Sequence, residues 1–477
     1  MKRLRALLMV CVMCLVSVCL YGSAAAVPTE PLVSGDYQYA FRDDGTVIIT
    51  RYIGSAGDVA IPSELKGTPV TAIGPNAFDN CSTLFFAEIP EGITSIGDYA
   101  FRFCKSLEEI NLPDSLQELG KNPFIGCEAL EIIEISPDHP VVYKDDHVLF
   151  SRPDQRLVSY SPLRDRGPYE VPDGTTIIGA NAFYQCKNLT ELKLPDTITS
   201  IGQKAFMFCD NLKSINLPES ISYVGAGAFI HCIGLHSLVF PDTITAIGDN
   251  AFEDCTNLKE VVLPQDTVSI GDKAFYKCSS LQTLELPEGI TAIGKNTFAL
   301  CKDLVSIILP DGVTYIGNGA FLDCEKLEEI EIPMTVNYIG SYAFSGCSKL
   351  KEIDLPNTCF YIGPYAFSKC SSLEEFRIPM ILNAISEHAF EGCAGLTELT
   401  ITPRVAFIGD YAFAACVGLT EISIPETVTS VGDNAFGYCS QLQTVELPEE
   451  LEYVNPTAFE NCPNLIDPPD LSRYEAQ

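Results

Sequence analysis

Cysteine recurs at positions 81, 104 and 127, and then at 186, 209, 232, 255, 278, 301, 324, 347, 370, 393, 416, 439 and 462. Every step is 23 residues except one of 59, which is 23 plus an insertion of 36. All sixteen of these cysteines have Phe three residues before and Leu three residues after; fourteen have Ala before that Phe, and fourteen have Gly seven residues before the Cys. A typical unit is Ile247-Gly248-x-x-Ala251-Phe252-x-x-Cys255-x-x-Leu258-x-x-Val261-x-Leu263-Pro264. Self-similarity at a fixed short period marks a stacked repeat. It overrides the prior of about 150 residues per domain, which would cut a chain of this length into three globular domains.

Each position of the unit has a physical reason. Leu-x-x-Ile-x-Leu ends in alternation, the pattern of a short strand with one buried face. The following Pro lacks the N–H that a ladder needs and ends the strand. Gly of Ile-Gly is expected to supply a tight turn with positive φ. Ala lets adjacent coils approach, and Phe and Cys fill the interior opposite the strand. A single coil cannot bury these residues alone, so stacking makes one continuous core. Sixteen coils at the ~4.8 Å spacing of paired strands predict a solenoid roughly 75 Å long.

Composition narrows the class. The chain has 63 acidic against 30 basic residues, a formal charge of -33, which argues against a phosphate-binding surface and hence against nucleic acid. Hydrophobic residues make up 47% of the chain, too many for intrinsic disorder. Residues 1–26 read as a signal peptide: the basic run Lys2-Arg3-Leu4-Arg5, an apolar stretch from Ala6 to Tyr21, then Ala24 and Ala26 before a cut at Val27. The apolar stretch is shorter than the ~20 residues that span a bilayer, so no membrane span is expected after cleavage. Cleavage would leave -36, and the protein is expected to be exported.

The motif Ile-Gly-x-x-Ala-Phe-x-x-Cys-x-x-Leu-x-x-Ile-x-Leu-Pro resembles the 23-residue leucine-rich repeats of bacterial surface proteins, the BspA-like family. The match runs from about residue 58 to 467 apart from the insertion. The resemblance implies a right-handed repeat solenoid with one parallel β-sheet on a concave face, little α-helix, and a place on the bacterial surface or in the secreted fraction. Members are associated with adhesion to host proteins and cells. Other leucine-rich repeats carry Asn or Cys shortly after the strand; here that place holds Gly92, Ser115, Thr197 or Ser220, so the usual polar ladder is expected to be absent.

Two irregular segments stand apart. Tyr37-x-Tyr39-x-Phe41, Asp44-Gly45 and Val47-Ile48-Ile49 predict a hairpin closed by a type I′ turn, within an N-terminal cap over 27–57. The insertion at 136–170 predicts three strands near Val141, Val148 and Leu157, turning at Asp145-Asp146 and Pro153-Asp154. It is read either as a binding loop or as a strand-rich cover over the groove, with the cover favoured. Residues 58–467 then form the solenoid and 468–477 a tail, with Pro468-Pro469 ending the last coil as a C-terminal cap.

Chemical groupings are sparse. The five histidines show no metal-ligand spacing, and no Gly-x-Ser-x-Gly elbow or phosphate-binding loop exists. His139 and His147 lie near Asp138, Asp145 and Asp146, and are read as solvated loop residues rather than a metal site. No cofactor and no enzymatic activity are expected. The ladder cysteines are expected to be buried thiols, because stacked side chains point the same way with Cβ atoms ~4.8 Å apart, whereas a disulfide needs about 3.8 Å between facing Cβ atoms.

Function is therefore sought on the outward strand positions. Glu329, Glu352, Glu375, Glu398 and Glu421 fall five residues after consecutive ladder cysteines, either as an acidic groove for a basic partner or as a solvated face. Val239, Val262 and Ile308 lie two positions further on and are candidates for an apolar contact. Tyr342 and Tyr365 belong to an aromatic column that is read as stacking between coils, with contact to a glycan as the alternative. The leading expectation is an adhesin-like protein that binds a host or neighbouring-cell protein through its strand face. A structural cell-envelope component, acting as a spacer or by self-association, is the alternative; a hydrolase site in the insertion is the remote one.

Overall fold

The protein is described by a computed structural model over residues 31–163, 167–449, 451–466, 468, 469 and 471; the expected signal peptide at 1–26 and most of the tail lie outside the described residues. Its described residues form thirty-eight short strands and no helix. Nearly all belong to two ribbons of parallel strands that climb a single stack of coils. The A ribbon is the expected strand, for example Glu109–Asn111, Glu191–Lys193 and Glu260–Val262. A second, the B ribbon, consists of two-residue strands ending at the Ile of Ile-Gly, such as Ser95–Ile96 and Tyr223–Val224. Two residues give too short an alternation to be seen in sequence, which is why only one sheet was expected.

The core is the motif itself. The Phe, Ala, Cys and Leu positions are almost all fully buried, and successive Phe rings stack with centroids 4.8 Å apart at Phe78–Phe101 and 5.2 Å at Phe229–Phe252. Burying one such ring stabilises the fold by roughly 1.5–3 kcal/mol. All seventeen described cysteines are free thiols, sixteen of them buried and Cys81 half-buried. Most of the ladder thiols are more than filler: Cys255 Sγ donates to Phe229 O one coil earlier at 3.1 Å, and Cys278, Cys301 and Cys324 do the same at 3.2 Å.

The expected absence of a polar ladder is corrected. Ser115 Oγ donates to Ile93 O at 2.9 Å, Thr197 Oγ to Thr175 O at 2.7 Å, and Thr427 Oγ to Val405 O at 3.0 Å. Hydroxyls occupy the place that Asn takes in other repeats, and they satisfy carbonyls that a buried turn would leave unpaired. A further column, Asp98, Asp272 and Asp410, accepts the backbone N–H of the next coil at 2.7–2.8 Å.

The glycine of Ile-Gly also has a different reason from the one expected. A Cβ on Gly97 would lie 2.6 Å from Pro75 N, and one on Gly363 would lie 2.5 Å from Ser341 N, with no positive φ at either. Glycine is required by the close passage of the preceding coil. The left-handed positions are instead two residues later, at Asn250, Lys273 and Tyr365, and just before the Cys, at Asp254, Lys277 and Lys369.

At the N-terminus the expected hairpin is a three-stranded antiparallel meander, Leu32–Ser34, Tyr37–Phe41 and Val47–Tyr52. Its second turn is not type I′. Gly45 N donates to Arg42 O and Arg42 N to Thr46 O, and of the loop only Gly45 has positive φ, which is a type I turn followed by a bulge residue. The insertion forms strands Val142–Asp145, Val148–Ser151 and Arg156–Tyr160, the last of which pairs in parallel with Ile177–Ile178 and so enters the stack. It is neither a free loop nor a lid over the A ribbon; it lies within the stack.

His139 departs from the solvated reading. Its side chain is 1% exposed, Nε2 donates to Pro113 O at 3.0 Å, and Nδ1 accepts from Val141 N and Val142 N at 3.1 and 3.2 Å. Nε2 thus joins the insertion to the coil before it, and Nδ1 fixes the start of the insertion's first strand.

Candidate functional site

The outward positions of the A ribbon are set by period two: the middle residue of a three-residue strand is buried, or half-buried at Ile133, Leu399 and Val445, and the flanking two face outward. Glu329, Glu352, Glu375, Glu398 and Glu421 are all exposed, as expected. Glu375 and Glu398 are direct partners in parallel register. Val239 and Val262 are likewise partners, 70% and 62% exposed, and Ile308 is 61% exposed opposite Glu285. The hydrophobic pair and the hydrophobic single residue are thus separated by one coil that carries a carboxylate.

The A ladder is interrupted at several coils, and its longest lapse lies between Ile308 and Glu375. Glu329 makes only an isolated bridge to Ser306, and no strand forms at 352–354, whereas the B ribbon runs unbroken alongside from Ala292–Ile293 to Tyr361–Ile362. The lapse coincides with the densest like charge on the face: Glu328, Glu329, Glu331, Glu352 and Asp354, with Lys351 among them. Carboxylates stacked at the coil spacing repel by ~1 kcal/mol in water, and three-residue ladders offer little to resist it.

The lapse leaves a groove of about 750 Å³ floored by Ile307, Ile330, Ile332 and Ile353 and rimmed by Ile308, Glu329, Glu331, Glu352 and Asp354. A shallower acidic depression of about 480 Å³ continues from it along Glu328, Glu329, Glu352, Glu374, Glu375 and Glu398. The structure therefore brings Ile308, Glu329 and Glu352 to one groove and joins Glu375 and Glu398 to its acidic extension. Glu421 continues the column beyond these two hollows, and Val239 and Val262 sit apart, toward the N-terminal side.

Tyr342 and Tyr365 belong elsewhere, on the turn that follows the B ribbon. They stack with centroids 4.6 Å apart and 4° between planes, and the column continues through His388 to Tyr411. A second column, Tyr315, Tyr338 and Tyr361, stacks at 4.8 and 4.6 Å on the B ribbon itself. Burial and the neighbouring phenols Tyr361 and Tyr315 raise the Tyr338 pKa. Rings stacked in this way turn edges and hydroxyls outward. Tyr342 ends its column, because Gly319 stands one coil earlier.

Sequence reading missed Glu331 and Asp354 on the rim and Glu328 and Glu374 beside it. The signal existed: they occupy the fourth and seventh places after the ladder Cys, flanking the column that was followed. Among the described residues, no group of three His, Cys, Asp or Glu side chains is placed to hold a metal ion, and no helix is long and apolar enough to cross a membrane.

Comparison with known proteins agrees with this architecture. No curated protein matches the chain. A leucine-rich repeat protein from Bacteroides ovatus is similar at 26% identity, covering 87% of this chain and 99% of its own, with a TM-score of 0.55. A leucine-rich cell surface protein from Faecalibacterium prausnitzii is 23% identical over 88% of this chain and 96% of its own, with a TM-score of 0.41. The pneumococcal vaccine antigen PcpA is 20% identical over 65% and 79%, with a TM-score of 0.40. The family described as BspA type leucine-rich repeat region matches in six copies, over residues 68–146, 176–305, 291–419 and 361–468. With the period, the thiol column and the stacked coils all in place over that span, the chain belongs to the BspA-type leucine-rich repeat family.

Proposed function

We propose that the chain is an exported, non-enzymatic binding protein that presents its A ribbon to a macromolecular ligand, a protein of a host or neighbouring cell, in the manner of an adhesin. The observation that supports this reading is the groove beside Ile308, where a broken ladder sets an isoleucine floor within an acidic rim. Ile308, 61% exposed, gives a partner apolar area to bury, the floor isoleucines beneath it being largely buried in the coils already, and the carboxylates around it select a partner bearing Lys or Arg and steer its approach. Export is inferred from the basic and apolar N-terminal residues, and the absence of enzymatic activity from motif positions that repeat in every coil and so are structural. Val239 and Val262 would extend the contact, and Tyr342 and Tyr365 would offer phenol edges to a glycan.

The test is capture from host tissue and envelope extracts by the intact chain and by three variants: Val239→Asp, Ile308→Asp and the triple change Glu329→Gln, Glu352→Gln, Glu375→Gln. A protein that is held by the intact chain, lost by Ile308→Asp, and released from the intact chain by salt is the expected result. If every partner survives all three variants, the A ribbon is not the binding face.

A further inference from the structure

The insertion and the N-terminal cap are the same device used twice. In each, three antiparallel strands are followed by a parallel hand-off to the B ribbon. Leu32–Ser34 pairs with Tyr37–Tyr39 as Val142–Asp145 pairs with Val148–Ser151. The turn between them has one left-handed residue in both, Gly35 and Asp146. The second pairing shifts register at Gln38/Tyr39 in one and at Leu149/Phe150 in the other, leaving Thr50 and Val158 as the unpaired bulge residues. The third strand then pairs in parallel, Ile49 with Ile73 and Leu157 with Ile178. Gly74 N donates to Ile49 O at 2.8 Å, and Gly179 N to Leu157 O at 2.9 Å. Tyr52 and Tyr160 take the place of the ladder Phe, each N–H bonded at 2.7 Å to the Ala carbonyl of the next coil, Ala77 or Ala182. Last, Asp58–Ala60 starts one A ribbon and Pro168–Glu170 starts another.

No backbone ladder crosses this point among the described residues. One B ribbon stops at Glu118–Leu119 and one A ribbon at Ile132–Glu134, and the next are led by Arg156–Tyr160 and Pro168–Glu170 inside the insertion. Both ladders also pause between Glu260–Ile270 and Thr283–Ile293, but there turn bonds such as Phe275 N to Thr297 O still cross from coil to coil, and here none does among the described residues. The core divides with them. Val142, Leu149 and Val158 pack with the coils before, while Val148, Phe150, Leu157 and Tyr160 pack with the coils after. Side chains replace the missing ladder: Asn122 Nδ2 donates to Asn181 O at 2.7 Å, and Arg156 Nη2 to Leu119 O at 3.0 Å. The free sheet edges that face the gap are blunted, since Lys144 Nζ donates to Ile133 O at 3.2 Å and the opposite edge opens with Pro168, which has no N–H to offer.

We propose that residues 136–170 are a second starting cap, and that the chain is two separately capped solenoids, each opening as its own cooperative unit. A starting cap supplies the template on which the next coil pairs, so the coils from 171 onward need nothing from those before 136. The second solenoid, which carries the groove beside Ile308, is on this account a self-sufficient presenting unit. The inference stands on the two strand pairings alone and does not depend on the proposed binding role.

Hydrogen exchange of the intact chain tests it with two variants. Phe150→Asp strikes the face of the cap that packs on the following coils. It is expected to speed amide exchange at least about tenfold over 171–262 and to leave 58–119 within about twofold of the parent. Leu149→Asp strikes the opposite face and is expected to do the reverse, loosening 95–135 and sparing 191–262. Equal loosening on both sides in either variant would show an ordinary coil of one continuous solenoid, and no loosening in either would show a decoration; both results overturn the proposal.

Discussion

The two caps share strand order, bulge and hand-off, yet their outer faces differ. On the N-terminal cap, away from its own core, stand Gln38, half-buried, and Thr50, exposed. On the internal cap the corresponding residues are Leu149 and Val158, each 1% exposed, beside Val142 at 0%. Pairing fixes the shape of the sheet in both, and the side chains on the outer face decide whether it meets water or the end of another solenoid. A cap with one apolar face ends a stack; a cap with two joins stacks. The two solenoids differ in their thiols as well. The first holds Cys81, Cys104 and Cys127, one of them half-buried, and the second holds the other fourteen, all buried.

Alkali should separate the two solenoids most strongly. Burial pushes the Cys255 thiol up from 9.0 to about 12 and raises Cys232, Cys278, Cys324 and Cys347 well above the usual thiol value. A raised thiol stabilises the fold in full below the unfolded value of about 9, and that contribution is lost as pH rises toward the folded value. Each contributes ~1.4 kcal/mol per pH unit in that window. Cys81 and Cys104 of the first solenoid are raised too, but the second holds several times as many such thiols and should unfold first between about pH 9 and 12, seen by far-UV circular dichroism as a large loss of strand signal before a smaller one. A single loss shared by both would break the contrast.

Next in size is the outer face of the caps. Leu149→Asp buries an unpaired charge and should lower stability by ~3–5 kcal/mol in urea unfolding. Gln38→Asp at the matching place should change it by less than about 0.5 kcal/mol. Similar losses at both would mean that the N-terminal cap also has a covered outer face.

A smaller contrast lies in the thiol ladder. Cys255→Ala removes the bond to Phe229 O and leaves a small cavity, but that carbonyl still accepts Cys232 N at 3.1 Å. The expected loss is ~1–2 kcal/mol, against less than about 0.5 kcal/mol for Cys81→Ala at the half-buried start of the column. Calorimetry on the two variants should rank them in that order, and the reverse order would remove the hydrogen-bonding role of the column.

The smallest effect concerns the A ribbons. The first runs unbroken from Asp58–Ala60 to Ile132–Glu134, and the second is interrupted at several coils, with its longest lapse where the acidic residues crowd. Glu352→Gln should raise stability by a few tenths of a kcal/mol at low salt and by nothing measurable at 1 M salt. An equal gain at both salt concentrations would point to packing rather than repulsion.

Much of the fold was legible because its rules repeat. Sixteen copies of Phe-x-x-Cys-x-x-Leu average out local ambiguity, so coil length, buried column and strand position could be read directly. The B ribbon was not legible, because two residues such as Ser200–Ile201 carry no alternation. Nor was the internal cap: its likeness to the N-terminal cap lies in register and bulge, and Gln38 against Leu149 or Thr50 against Val158 is no likeness at all in sequence. Of the candidate site, the acidic column was legible from period alone. That Ile308 shares a groove with Glu329 and Glu352 was not, since it depends on a ladder failing over 329–354.

Pulsed thiol labelling of the intact chain in rising denaturant, read by mass, tests the division into two solenoids most directly. The described cysteines fall into blocks of three before the internal cap and fourteen after it. Two capped units predict an intermediate population labelled in one block and protected in the other. Passage from protection of both blocks to labelling of both with no such population would show one cooperative solenoid and contradict the account.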